Sequence, residues 1–200
     1  MRKIVVLSFM NHTLKKKFYD IIADMYIFIA GMTRSGKSEY AEKITCELGR
    51  NIPKIYVATA GIYDAEMQRR VELHRMRRAG MGFTTIERAH DLGELELPED
   101  SCVLIESLTV WTANEMFTES GVNHFAGEKV YHDFMTLRER VRHVVLVSDD
   151  IFSDGVRYDD MTEEYLRILG GLHVKLAAIA DEVYEIVAGI PVRYSIITKL

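Results

Sequence analysis

The segment Gly31-Met-Thr-Arg-Ser-Gly36-Lys37-Ser38 constrains this chain more than any other. It matches G-x-x-x-x-G-K-[ST], follows an apolar run and opens a helical pattern, the context in which such a segment folds as strand, loop and helix. Its glycines permit a turn tight enough to aim successive backbone N–H groups at an anion. In such a loop the lysine reaches the β- and γ-phosphates of a nucleotide, and the hydroxyl of Ser38 takes a place on Mg²⁺. The positive N-terminus of the following helix adds to the anion site. A chance glycine-rich turn would not carry strand, loop and helix in register. The motif therefore predicts binding of a nucleoside triphosphate.

The rest of the chain agrees with that start. Short apolar runs alternate with longer periodic segments. Strands are expected at Tyr26–Ala30, Ile55–Ala58, Cys102–Glu106, Val144–Ser148 and Val183–Val187, a weaker one at Thr84–Ile86, and an edge strand at Val192–Ile197. Helical patterns fall at Lys37–Leu48, Ala65–Arg78, Thr109–Phe117, Glu128–Arg142 and Thr162–Ala180. Near-continuous apolar strands such as Val144-Val-Leu-Val147 imply burial on both faces. Strand–helix alternation then predicts an α/β protein with a three-layer P-loop NTPase fold: a mostly parallel sheet with helices on both faces.

Composition closes off other classes. With 48% hydrophobic residues among 200, the chain can bury a full core, which excludes a disordered tail or a disulfide-stapled scaffold. A net charge of −5 argues against a nucleic-acid binder, which usually carries a basic excess. Two cysteines, Cys46 and Cys102, stand at no metal-ligand spacing and suggest a reduced, cytoplasmic setting. No apolar run approaches the about 20 residues of a membrane span. The start, Met-Arg-Lys before Ile4–Met10, imitates a signal peptide, but Lys15-Lys-Lys17 follows with no small-residue cleavage site. Residues 1–24 read as an N-terminal appendage of uncertain role, and residues 25–200 as the P-loop domain.

Two further features carry chemistry. Glu106 terminates the apolar run Cys102-Val-Leu-Ile, and a carboxylate at the C-terminal end of such a strand reaches the ligand crevice, where it can complete a metal site with Ser38. Ala65–Arg78 holds five arginines between Arg69 and Arg78, with Arg70, His74 and Arg78 on one helical face. Cationic neighbours favour a neutral imidazole, which is a nucleophile, and guanidinium groups can hold the phosphate it attacks. The same pattern also reads as a solvated basic face with Met67, Val71 and His74 packed inward. The residues leave both readings open.

From Met25 to about Ile190 the chain resembles the bifunctional adenosylcobinamide kinase / adenosylcobinamide-phosphate guanylyltransferase family of cobalamin biosynthesis. The resemblance rests on Thr33-Arg-Ser-Gly-Lys-Ser38, Tyr56-Val-Ala-Thr59, Asp64-Ala-Glu-Met67, Arg70-Val71, His74, Arg78, Glu87, Glu106-Ser-Leu-Thr109, Asn114, Val144-Val-Leu-Val147 and Leu176-Ala-Ala-Ile-Ala-Asp-Glu-Val183. It implies that His74 is the residue guanylylated by GTP. It carries nucleotide contacts onto Gly31, Met32, Thr33, Arg34, Ser35, Gly36, Lys37 and Ser38, onto Ala58, Thr59 and Ala60, and onto Arg75, Met76, Arg77, Arg78, Glu87 and Glu106. The implied chemistry has two steps: phosphorylation of the aminopropanol hydroxyl of adenosylcobinamide, then transfer of GMP to that phosphate, with ATP and GTP as substrates, Mg²⁺ as cofactor and a homotrimer as the assembly.

Departures from the family pattern are local. Ala79 stands where proline usually follows the arginine, Asp149-Asp150 replaces Asn-Glu, His173-Val174 replaces Asn-Gln, and Leu166 replaces an arginine. A carboxylate in place of an amide exchanges a donor for a pure acceptor and repels phosphate. A single-activity P-loop kinase, and a nucleotide-gated binding paralogue without turnover, are the alternatives to the bifunctional enzyme.

Overall fold

The computed structural model describes residues 24–60, 69, 72, 76–152 and 155–194 of the protein. Strand β1 (Met25–Gly31) is buried almost end to end, as a run that is apolar on both faces requires. It leads into α1 (Lys37–Leu48), β2 (Lys54–Ala58), β3 (Phe83–Glu87), a 3₁₀ turn (Leu92–Glu94), β4 (Cys102–Glu106) and α2 (Leu108–Met116). A two-strand ribbon, β5 (Phe117–Thr118) and β6 (Gly121–Val122), precedes α3 (Ala126–Arg138), β7 (His143–Asp149), α4 (Asp160–Ala178), β8 (Glu182–Val187) and β9 (Ile190–Tyr194).

Seven strands form one sheet in the order β3-β2-β4-β7-β1-β8-β9, parallel throughout except for the β8–β9 hairpin at one edge. Side chains alternate between two cores, as the strand period of two dictates. Tyr26, Phe28, Val103, Ile105, Val144 and Leu146 join Trp111, Phe134 and Leu172 under α2, α3 and α4. Their strand neighbours Ile27, Ile29, Leu104, Val145 and Val147 join Ala41, Ile44 and Leu48 of α1 on the opposite face. The three-layer α/β expectation holds.

From β1 the chain passes β7 and β4 to reach β2, whereas after α4 it comes down on the other side of β1 as β8. That reversal opens a crevice outside the C-terminal ends of the strands, where ligands bind in open α/β sheets. The loop between β1 and α1 lies there.

Boundaries differ from the sequence expectation by a few residues, for local reasons. The third helix stops at Arg138 rather than Arg142, because Arg142 N and His143 N both donate to Ser101 O at 3.1 Å and draw the chain into β7. Helix α4 starts at Asp160 because the Asp159 carboxylate accepts from Met161 N and Thr162 N, each at 3.0 Å. Phe117, expected to end a helix, opens the β5–β6 ribbon instead. The expected edge strand is realised as β9, two residues earlier, and residues 195–197 lie outside the described residues. Of the expected helix 65–78, only residues 69, 72 and 76–78 are described, and those are helical. The appendage lies, but for Asp24, outside the described residues. No helix among the described residues is long and apolar enough to cross a membrane.

Candidate active site

The loop after β1 owes its shape to glycine at two positions. A Cβ on Gly31 would sit 2.7 Å from Ser35 Oγ and 2.8 Å from Ile186 O, so only a bare Cα lets the loop fold back against β8. Gly36 has φ of 92°, the left-handed region that a Cβ penalises. Gly189 N, in the β8–β9 turn, donates to Ser35 O at 2.8 Å and ties the loop to the sheet edge. As N-cap of α1, Gly36 brings no side chain to the first-turn N–H groups, which leaves them to an anion.

A crevice of about 540 Å³ is lined by Thr33, Arg34, Ser35, Lys37, Ser38 and Glu39 from this loop, with Arg77 and Asp149 opposite. A larger depression of about 1100 Å³ lies among Asp24, Pro98, Asp100 and Arg142. Those residues precede the strands, at the end of the sheet away from the loop, and offer no phosphate cradle.

The sheet register aligns the acidic residues of the crevice. Ala58 pairs with Glu106 and with Glu87 across adjacent strands, and Gly31 pairs with Asp149. Glu106 accepts from the Ser38 hydroxyl on one oxygen and from Tyr56 Oη at 3.0 Å on the other. Burial, reinforced by the Glu106 charge, holds the Tyr56 phenol far above its ordinary value despite the adjacent Arg78. Tyr56 is therefore a permanent donor that fixes the carboxylate. Lys37, 7% exposed, donates to Asp149 Oδ1 at 2.6 Å and to Met32 O at 3.2 Å.

The other expected contacts divide. Thr59 is fully buried; its hydroxyl accepts from Ser107 N at 2.8 Å and donates to Ser107 O at 3.0 Å, while its carbonyl accepts from Asn114 Nδ2 at 2.8 Å. It braces the ends of β2 and β4, with its side chain committed to the protein. Ala58 and Ala60 flank it. Met76 is exposed, and Glu87 stands exposed at the end of the edge strand β3. Arg34 lines the crevice with φ of 62°. Arg77 Nε reaches Glu42 Oε2 at 2.7 Å, and Arg78 Nη1 reaches Glu42 Oε1 at 3.4 Å. The Arg78 guanidinium also stacks 3.5 Å above the Tyr56 ring. Arg77 therefore faces the crevice, while Arg78 is buried behind it. His74 and Arg75 lie outside the described residues.

Sequence reasoning did not single out Glu42, the buried counter-ion for two arginines. Nothing in a helical Lys-Ser-Glu-Tyr-Ala-Glu run distinguishes it. Asp149 appeared only as a departure from a pattern, although it carries the signal that marked Glu106: an apolar strand ended by a carboxylate. A polar chain behind it was also missed. His173 Nε2 and Ser148 Oγ lie 2.7 Å apart, Ser148 Oγ and Thr109 Oγ1 3.1 Å apart, and Asp149 N donates to Thr109 Oγ1 at 2.8 Å.

Residues 27–194 match the model of the cobinamide kinase / cobinamide phosphate guanyltransferase family. The chain belongs to that family. It is a family of transferases, and the chain carries its α/β P-loop fold. Among its relatives, the bifunctional adenosylcobalamin biosynthesis protein CobU of Salmonella typhimurium is 30% identical over 183 residues, covering 84% of this chain and 99% of that protein. CobU of Escherichia coli is 29% identical over the same shares. The bifunctional adenosylcobalamin biosynthesis protein CobP of Pseudomonas aeruginosa is 31% identical over 166 residues, covering 82% of this chain and 93% of that one. Among solved structures, the flagellar accessory protein FlaH of Methanocaldococcus jannaschii aligns at a TM-score of 0.48 and 14% identity, over 86% of this chain and 76% of that one.

Proposed function

We propose that the chain phosphorylates adenosylcobinamide and then transfers GMP from GTP to the new phosphate through a guanylylated His74, giving adenosylcobinamide-GDP, as a cytoplasmic homotrimer whose catalytic domain is residues 25–200. The observation that carries the reading is the meeting of Lys37, Ser38 and Glu106 at one crevice of a chain belonging to this family.

For the kinase step the protein supplies position and charge rather than a nucleophile. The loop N–H groups and Lys37 hold the β- and γ-phosphates, and the γ-phosphoryl group passes to the acceptor hydroxyl, whose proton is released. Ser38 and Glu106 offer a hydroxyl and a carboxylate side by side, the hard oxygen donors that suit Mg²⁺. Held there, such an ion would supply charge neutralisation of the phosphates. Tyr56 keeps the carboxylate aimed.

For the guanylyl step a neutral imidazole nitrogen of His74 attacks the α-phosphorus of GTP and pyrophosphate departs with its electron pair. An oxygen of the cobinamide phosphate then attacks the same phosphorus and the imidazole leaves. Arg77, facing the crevice, is placed to hold phosphate oxygens in this scheme.

The test is incubation of the full chain with α-³²P-GTP and Mg²⁺. Wild type is expected to take up an acid-labile label, and His74→Ala to lose it while still phosphorylating adenosylcobinamide. Label retained by His74→Ala overturns the assignment of the nucleophile. Phosphorylation without label in wild type leaves a single-activity kinase. Light scattering tests the assembly against three times the 23.0 kDa chain mass.

A further inference from the structure

Lys37, proposed to hold phosphate, already has an anionic partner for its ammonium in the structure. Asp149 Oδ1 lies 2.6 Å from Lys37 Nζ, with side-chain exposures of 23% and 9%. Both charges are largely withdrawn from water, so the pair is neither screened nor entropically loose in the way of a surface ion pair.

The segment carrying Asp149 cannot retreat. Asp149 N donates to Thr109 Oγ1 at 2.8 Å and Asp150 N donates to Gly31 O at 2.9 Å. Ser148, one residue earlier, is tied to Thr109 of α2 and to His173 of α4 at 3.1 and 2.7 Å. Tyr165 Oη fixes Thr109 in turn, donating to its carbonyl at 2.8 Å. Backbone on both sides of Asp149 is thus pinned to the loop strand and to two helices. The carboxylate can swing only through its own side-chain torsions, and it stays beside whatever occupies the crevice.

We propose that Asp149 is an internal competitor for Lys37: it sets the affinity of the phosphate crevice by occupying the lysine that a triphosphate must take over. The inference rests on the proposed binding of a triphosphate at this loop. A carboxylate has no proton to donate at neutral pH, so once displaced it adds no bond to phosphate and faces it as a like charge. The competition has a second consequence. Metal-free triphosphate brings more unneutralised charge past Asp149 than the Mg²⁺ complex, so the carboxylate discriminates between them.

The experiment is a titration of the full chain with a fluorescent N-methylanthraniloyl GTP, with and without Mg²⁺, for wild type, Asp149→Asn, Asp149→Ala, Lys37→Ala and Lys37→Ala/Asp149→Asn. Circular dichroism and melting confirm that each variant is folded. Both Asp149 variants are expected to bind at least about tenfold more tightly than wild type, the scale of one charged hydrogen bond. The gain is expected to be larger without Mg²⁺ and to vanish on the Lys37→Ala background. Affinity unchanged or weakened in both Asp149 variants, with wild type binding, overturns this proposal alone. Tightening by asparagine but not alanine also overturns it, because the gain then comes from the new amide donor. Absence of binding in wild type and both Asp149 variants overturns the crevice reading together with this one. Binding by the Asp149 variants where wild type shows none supports both.

Discussion

Glu42 offers the sharpest test of how the arginine-rich helix is joined to the body of the protein. Its carboxylate is 1% exposed and faces two guanidinium groups, of which Arg78 is 5% exposed and Arg77 35%. Replacing Glu42 by alanine leaves the Arg78 charge buried, with the Tyr56 ring as its only other attractive partner among the described contacts. Breaking a buried ion pair from one side costs about 3–5 kcal/mol. The Arg77 pair adds little, because that guanidinium is partly hydrated and its interaction screened. At 2–4 °C per kcal/mol for a chain of this size, Glu42→Ala should lower Tm by roughly 6–20 °C. The assay is thermal unfolding followed by circular dichroism, with Glu42→Met/Arg78→Met as the control. Removing both charges and filling the space should recover most of the loss, since apolar replacement of a buried pair is often close to neutral. A Glu42→Ala variant that melts within 2 °C of wild type, on a scale where about 1 kcal/mol is resolved, would refute the reasoning. A double variant as unstable as the single one would place the loss in packing rather than charge.

Other consequences follow from polar groups away from the crevice. Lys129 Nζ sits 2.6, 2.9 and 3.5 Å from carboxylate oxygens of Asp91, Asp133 and Glu115, which gather within 4.8 Å of one another. Its hydrogen bond holds the Asp91 carboxyl below the ordinary 3.8, so Lys129→Met should lose stability at pH 7.5, and melting curves should converge with wild type as pH falls below 3.8 and through the lowered Asp91 value. Millimolar Ca²⁺ should raise the Tm of that variant and leave wild type unmoved, because the Lys129 ammonium already occupies the place among the three carboxylates. His173 is pushed down to about 4 by burial, against an ordinary 6.5, and between those values the unfolded chain binds the extra proton. Wild type should therefore lose up to about 3 kcal/mol as pH falls from 6.5 to 4, and His173→Gln should show a shallower acid slope in denaturant titrations.

What the sequence revealed of the fold, and what it withheld, follow from the range of the interactions. β1, β4 and β7 were legible because strands buried on both faces must be apolar at nearly every position, a local constraint. The loop Gly31–Ser38 was legible because its glycines, lysine and serine stand at a fixed spacing and Gly36 answers a local positive φ, whereas the close approach of Gly31 to Ile186 of β8 was not. The position of Glu106 beside the loop was legible because a carboxylate that ends an apolar parallel strand lies at the crevice end of the sheet. Helix ends were less so: the stop at Arg138 depends on Ser101, nearly forty residues away in the chain. Strand order was not legible, and with it went the neighbours of Lys37. Parallel strands are joined by long crossovers, so nothing near Asp149 in sequence announces that β7, rather than β2, lies beside β1.

That dependence on strand order determines how the crevice treats charge. The strand beside β1 delivers its last residue next to the loop lysine, whereas the strand one place further out delivers its last residue next to the loop serine. Gly31 is in register with Asp149 on the adjacent β7, and Glu106, on β4 beyond it, reaches Ser38. Each carboxylate meets a different partner because the two strand ends are one strand spacing, about 4.8 Å, apart. The two acids are therefore unequal despite the same position at a strand end. Glu106 meets a hydroxyl and a phenol, both neutral donors. Asp149 meets an ammonium and neutralises it. Exchanging the acid for an amide should accordingly have opposite effects at the two places, weakening Mg²⁺-dependent binding at Glu106 and strengthening triphosphate binding at Asp149.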